Sequence, residues 1–208
     1  MVAAVLPFRV NEYVIEELID WNRVPDDPLF QLTFPQPGML APGDFARVAT
    51  LLGRHLDRAA LEQAVQEIRA ALNPHPAGQL ELNIPRLASG ETANGIQHKY
   101  RETVLFFPSR GQTCHAYCSF CFRWAQFIGD KTLRIAASEA SQLQTYLRQH
   151  RQVTDVLITG GDPLVMKTEH LAAYLEPLLP YYDSIREHPA FVELVNELNS
   201  GTVTQALD

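Results

Sequence analysis

Two short runs decide what the second half of this chain can become. Thr103-Val104-Leu105-Phe106-Phe107, closed by Pro108, and Val153 to Thr159 are apolar and partly β-branched, and both read as buried strands. Between them, Ser138 to His150 has a helical pattern with Ser138 at the N-cap position. A further helix is expected from about Thr168 to Leu179, with Thr168 and Glu169 at its start. Strand, helix, strand, helix in that order predicts a parallel sheet with right-handed crossovers. The fold class read from the sequence is therefore α/β.

The first part of the chain has a different texture. Tyr13, Val14, Leu18, Ile19 and Trp21 recur at mostly helical spacing in Asn11–Trp21, with Asn11 placed to cap that helix. A Pro-rich crossing from Pro25 to Pro42 follows and contains the apolar piece Leu29 to Phe34. From Asp44 to Leu72 the pattern predicts two helices with a break near Leu56-Asp57-Arg58. Ala46, Val48, Leu51 and Leu52 mark the apolar face of the first, and Leu61, Ala64, Val65, Ile68 and Leu72 that of the second. Asn73-Pro74-His75-Pro76 stops the second helix, and residues 74–98 read as loop. The expected organisation is a helical N-terminal region (1–98), an α/β region (99–179) and a divergent tail (180–208).

Charge narrows the function. With 17 basic and 24 acidic residues the net charge is −7, the wrong sign for a protein that grips phosphate backbones, so no nucleic-acid partner is expected. No apolar run approaches the roughly 20 residues that cross a bilayer. The apolar opening Met1 to Phe8 is short and broken by Pro7, so neither a membrane span nor a secretory signal is expected. Three cysteines are an odd number and do not make a disulfide framework, which fits the reducing cytoplasm.

All three cysteines fall within eight residues, as Cys114-x3-Cys118-x2-Cys121, just past the C-terminal end of the first predicted strand. Ligands bind at that edge of a parallel sheet. Clustered thiolates suit zinc or an iron–sulfur cluster. A closed zinc site wants four ligands, and His115, adjacent to Cys114, could supply the fourth only awkwardly. Gly160-Gly161-Asp162-Pro163 ends the second strand, where glycines allow a ligand close to the backbone. Alone, that tetrapeptide would be only a good turn sequence.

The cysteine spacing, with the aromatic Phe120 just before the third cysteine, resembles that of the radical S-adenosylmethionine (SAM) enzymes. The resemblance implies that Cys114, Cys118 and Cys121 ligate three irons of a [4Fe–4S] cluster. The open fourth iron would hold SAM, whose reductive cleavage gives methionine and a 5′-deoxyadenosyl radical. It also implies that Phe120 and the turn Gly160, Gly161, Asp162, Pro163 contact SAM. The fold implied is the (βα)6 barrel of that superfamily.

Three segments narrow the likeness: His98 to Leu105, the cysteine loop, and Leu157 to Leu164 are together similar to the lysine 2,3-aminomutase family. Val24 to Pro28 and Asn73-Pro74 agree, so the likeness covers most of residues 11–179. That family pairs SAM with pyridoxal phosphate (PLP) and moves an amino group between the α and β carbons of an amino acid. The resemblance implies an amino-acid substrate bound through its carboxylate by Arg123, where a planar fork of donors suits the task. It implies PLP contacts by Tyr100, with Lys99 and Arg101 near the phosphate. A flavodoxin or ferredoxin is the implied electron donor.

Two departures stand against a complete match. Aminomutases carry several arginines after the third cysteine, whereas this chain has Phe122-Arg123-Trp124-Ala125-Gln126-Phe127, which leaves the substrate open. Six βα units need about 25 or more residues each, yet only 98 residues follow Arg110. The only lysines are Lys99, Lys131 and Lys167, none where the family's PLP-linking lysine falls. The expectation is an N-terminal portion of an aminomutase-like protein, as a truncated product, a frameshifted reading or half of a split protein. Its open strand edge near Val153–Thr159 would favour self-association into a homo-oligomer. A radical SAM enzyme without PLP, and a non-catalytic iron–sulfur or zinc module, are the alternatives.

Overall fold

The computed structural model describes residues 1–53 and 57–181. The predicted tail from 182 onward, and Leu56 in the predicted helix break, lie outside the described residues. A one-turn helix α1 (Val2–Val5) opens the chain. Asn11 caps the next turn as expected, its side-chain oxygen accepting from the Val14 amide at 3.0 Å. The turn then widens into a π-helix over Val14–Leu18 and stops, so the expected helix to Trp21 is cut short. A local competitor ends it: the Asp20 side chain accepts from Asn22 N–H at 3.0 Å and starts a 3-10 turn at Trp21–Arg23.

The Pro-rich crossing contains a helix of its own, α2 (Pro28–Thr33), capped by the buried Asp27 side chain, which accepts from Phe30 N–H at 2.8 Å. The two predicted helices are α3 (Pro42–Gly53) and α4 (Arg58–Ala71). Asp57 caps α4 by accepting from Ala60 N–H. Val48 of α3 and Val65 and Ile68 of α4 bury against Val2, Val5, Leu6 and Leu40. Leu52, placed on the apolar face by the sequence, is 40% exposed. After a short helix α5 (Gln79–Leu82), the stretch read as loop ends in a strand.

That strand, β1 (Ile96–His98), pairs antiparallel with β2 (Thr103–Phe106), and β2 pairs parallel with β3 (Asp155–Ile158). The sheet order is β1-β2-β3, and the expected 98/99 boundary falls inside a β-hairpin. The parallel β2–β3 pair is as predicted, while β1 adds an antiparallel edge. Val104 and Phe106 of β2 are fully buried, with Ile96, against Leu143, Tyr146 and Leu147 of α6 (Ser141–Gln149) and Tyr174 of α7 (Thr168–Leu175).

Two expectations fail in detail. The second strand is not buried: Leu157 is 54% exposed and only Val156 and Ile158 are half-buried, because α6 and α7 both pack on one face among the described residues. The helix does not start at Ser138 either. Ala137 pairs with Phe107 and Ser109 through backbone bonds of 2.9 and 2.7 Å, and Tyr174 Oη donates to the Ser138 carbonyl at 3.1 Å. The chain is held extended there, so α6 begins three residues later without a side-chain cap. The (βα)6 barrel is not visible in the described residues, which hold an α/β arrangement of helices on a three-stranded mixed sheet.

Candidate metal centre

The cysteine loop starts where β2 ends. Between Phe107 and Cys114 the chain makes a 3-10 turn at Ser109–Gly111, then meets the turn after β3. Asp162 N–H donates to the Thr113 carbonyl at 2.8 Å. Gly161 sits so close that a Cβ there would overlap the Thr113 carbonyl oxygen, with Thr113 N at 2.6 Å and the Gly111 carbonyl at 2.7 Å. Gly160 has φ +108°, and the Gln112 side chain lies over it. The glycine pair thus seats the end of β3 directly on the cysteine loop, with protein filling the space that side chains would need.

Asp162 turns the chain onward by accepting from Leu164 N–H at 2.9 Å, with Pro163 at the first position of the 3-10 turn Pro163–Val165. Gln112 donates to the Pro108 carbonyl at 2.8 Å, and its Oε1 is buried without a partner. Nothing in the sequence pattern marks Gln112 or Thr159 as site residues.

Arg123 links the two strand ends. Its Nη1 donates to Thr159 Oγ1 at 2.7 Å, and its guanidinium lies 4.7 Å from the Phe122 ring centroid and 5.4 Å from that of Phe107. Desolvation pulls its pKa down and the nearby Cys121 pushes it up. Arg123 is half-buried, its guanidinium held by these contacts.

Burial pushes the Cys114 thiol up, while the Asp162 amide pulls it down and Cys121, Asp162 and Cys118 push it up further. Burial likewise raises Cys121, against the Arg123 amide and its charge. The charge of neighbouring thiolates thus opposes ionisation of Cys114 and Cys121. Gathering three thiolates here requires a positive centre. Among the described residues no group of three or more His, Cys, Asp or Glu is drawn together as a ready-made ion site. The donor set still fits a soft metal cluster, with three thiols within eight residues of one loop. His115 is exposed and Phe120 is 74% exposed.

The residues expected near PLP, Lys99, Tyr100 and Arg101, occupy the β1–β2 turn that precedes β2, whereas the cysteine loop follows its end. Tyr100 is 60% exposed, Lys99 Nζ lies 5.8 Å from its ring centroid, and Arg101 pairs with Glu102 at 3.5 Å.

Cys118 is exposed and the other two cysteines half-buried. In the metal-free chain, iodoacetamide should therefore label Cys118 well before Cys114 and Cys121, whose labelling should accelerate only at alkaline pH. Peptide mass spectrometry across a pH series reads this directly, and equal rates at all three would contradict the burial.

No family model matches the chain, and no solved structure matches it. Curated relatives do match over part of its length. An L-lysine 2,3-aminomutase of Haemophilus influenzae is 34% identical over 95 residues, 45% of this chain and 27% of the relative. One of Methanococcus maripaludis is 32% identical over 77 residues, 37% of this chain and 17% of the relative. One of Bacillus subtilis is 30% identical over 94 residues, 44% and 19% respectively. The aligned stretches thus span about a quarter or less of these relatives. Over less than half of its length, this chain is a partial match to the L-lysine 2,3-aminomutase family.

Proposed function

We propose that this chain supplies the cluster- and SAM-binding part of a radical SAM enzyme of the lysine 2,3-aminomutase type. The observation behind the reading is the junction at the strand ends, where the glycine turn seats on the cysteine loop and Arg123 spans both. When bound, the cluster supplies the electron that cleaves SAM and so opens radical chemistry on an amino-acid substrate, with a flavodoxin or ferredoxin as donor.

Cys114, Cys118 and Cys121 would hold three irons, with the backbone amides of Asp162 and Arg123 near Cys114 and Cys121. The guanidinium of Arg123, partly dehydrated and braced by Thr159, is poised to pair with a carboxylate at this edge. The turn Gly160 to Pro163, with Phe120 beside the third cysteine, is the SAM-facing rim in this reading. In the same reading Tyr100 would face PLP, with Lys99 and Arg101 near its phosphate.

Anaerobic reconstitution with iron and sulfide tests the proposal. The chain should turn brown, take up about four irons and change its reduced-cluster EPR spectrum when SAM is added. Cys118→Ala and Cys121→Ala should lose the cluster while keeping the far-UV spectrum of the parent. A colourless protein that binds zinc under the same conditions would favour the non-catalytic module and sink the proposal.

A further inference from the structure

The sequence separates a helical N-terminal region from the cysteine loop, but the structure stitches them together. Tyr117 N–H donates to the Arg9 carbonyl at 2.8 Å, and Ser119 N–H to the Leu32 carbonyl at 2.7 Å. Ser119 Oγ donates to the Gln31 carbonyl at 2.8 Å. These are the two neighbours of Cys118, so the backbone of the middle cysteine is clamped on both sides by the N-terminal region. Trp124, three residues past Cys121, packs on the N-terminal core.

Beside the clamp lies a cavity of about 210 Å³. Cys118 and Cys121 form part of its wall, and the rest is largely apolar: Leu6, Met39 and Leu72 from the N-terminal region face Trp124 across it. Nothing on this N-terminal side of the wall carries a charge.

We propose that the N-terminal helical region is a structural cover of the cluster: it fixes Cys118 and presents an uncharged, largely apolar wall to the flank of the site next to Cys118 and Cys121. The inference rests on the cluster reading above. An iron–sulfur centre gains negative charge on reduction, and water stabilises that charge. An uncharged apolar wall offers that charge no dipoles and anchors no water beside the cluster, so it holds the reduction potential low and slows hydrolytic loss.

Met39 and Leu72 are half-buried at the cavity wall, so a polar side chain can replace either without opening the N-terminal core. Met39→Gln and Leu72→Gln should keep the iron content and far-UV spectrum of the parent. Their clusters should bleach several-fold faster in air and reduce at a less negative potential. Met39→Leu should behave as the parent, and so should Leu52→Gln on the exposed part of α3. Folded, iron-loaded Gln variants with unchanged bleaching and potential would overturn the proposal. A parent chain that takes up no cluster would instead overturn the functional reading beneath it. Should the Gln variants unfold, amide exchange on the loaded parent decides: Tyr117 and Ser119 should exchange slowly, and fast exchange there would show that the clamp does not form.

Discussion

Gly161→Ala is expected to destabilise the chain by about 1–3 kcal/mol and to impair iron uptake, although one methyl is the whole change. The added Cβ would run into the carbonyl and amide of Thr113 and the carbonyl of Gly111. All three are backbone atoms in a segment held by Asp162 N–H to Thr113 O, so no side chain can swing aside. The turn must back away from the cysteine loop, taking with it the Asp162 amide that bonds Thr113 beside Cys114. Gly160→Ala makes an instructive partner. There the crowding comes from the Gln112 side chain, which can move, and the cost arises from φ +108° instead. Urea denaturation with iron analysis separates the two. A Gly161→Ala chain with the parent's midpoint and full iron content would mean that the turn does not seat on the loop.

The site residues that the sequence could place were those announced by local chemistry. Three cysteines within eight residues after an apolar run, and a glycine pair after the next run, mark strand ends because strands are short and turns need special residues. Helices α3 and α4 were legible for a similar reason: a full apolar stripe and an Asp57 cap are local signals. Strand β1 was not, since Ile96-Gln97-His98 has three residues, only one of them apolar, and exists because β2 offers it a partner. The true start of α6 was hidden in the same way. Ser138 is a good capping residue, but tertiary bonds through Ala137 and Tyr174 hold that stretch extended.

The site shows where local reading ends. Arg123 could be named from its place beside Cys121, but its partner Thr159 is 36 residues away and meets it only because β2 and β3 are parallel neighbours. The clamp on Cys118 is more distant still, with Gln31 bonded to Ser119 across 88 residues. Backbone carbonyls accept both N–H groups, and a carbonyl leaves no mark in sequence. Tyr100 is close to the cysteines along the chain, but it stands in the turn that precedes β2, whereas they follow it. The functional reading stands on the strand-end junction, where both ends meet through backbone and side-chain contacts.

Phe106→Ala should be the costliest single truncation, about 3–5 kcal/mol. Phe106 is fully buried in the central strand, paired in register with Ile96 on one side and Ile158 on the other. Its ring meets Tyr174 of α7 with centroids 5.7 Å apart, so the cavity would open where the sheet joins its helices. The loss should reach the site as well, because the Phe106 carbonyl accepts from Thr159 N–H at 2.8 Å and Thr159 is what braces Arg123. Leu157→Ala provides the contrast. It sits one residue before Ile158 on β3, on the face that α6 and α7 leave open, and at 54% exposure it should cost about 0.5 kcal/mol or less. Urea midpoints for the two variants test whether the sheet has one buried face or two. A Leu157→Ala loss as large as that of Phe106→Ala would require the open face to be covered in solution. A fall in its midpoint on dilution would then identify a second copy of the chain as the cover.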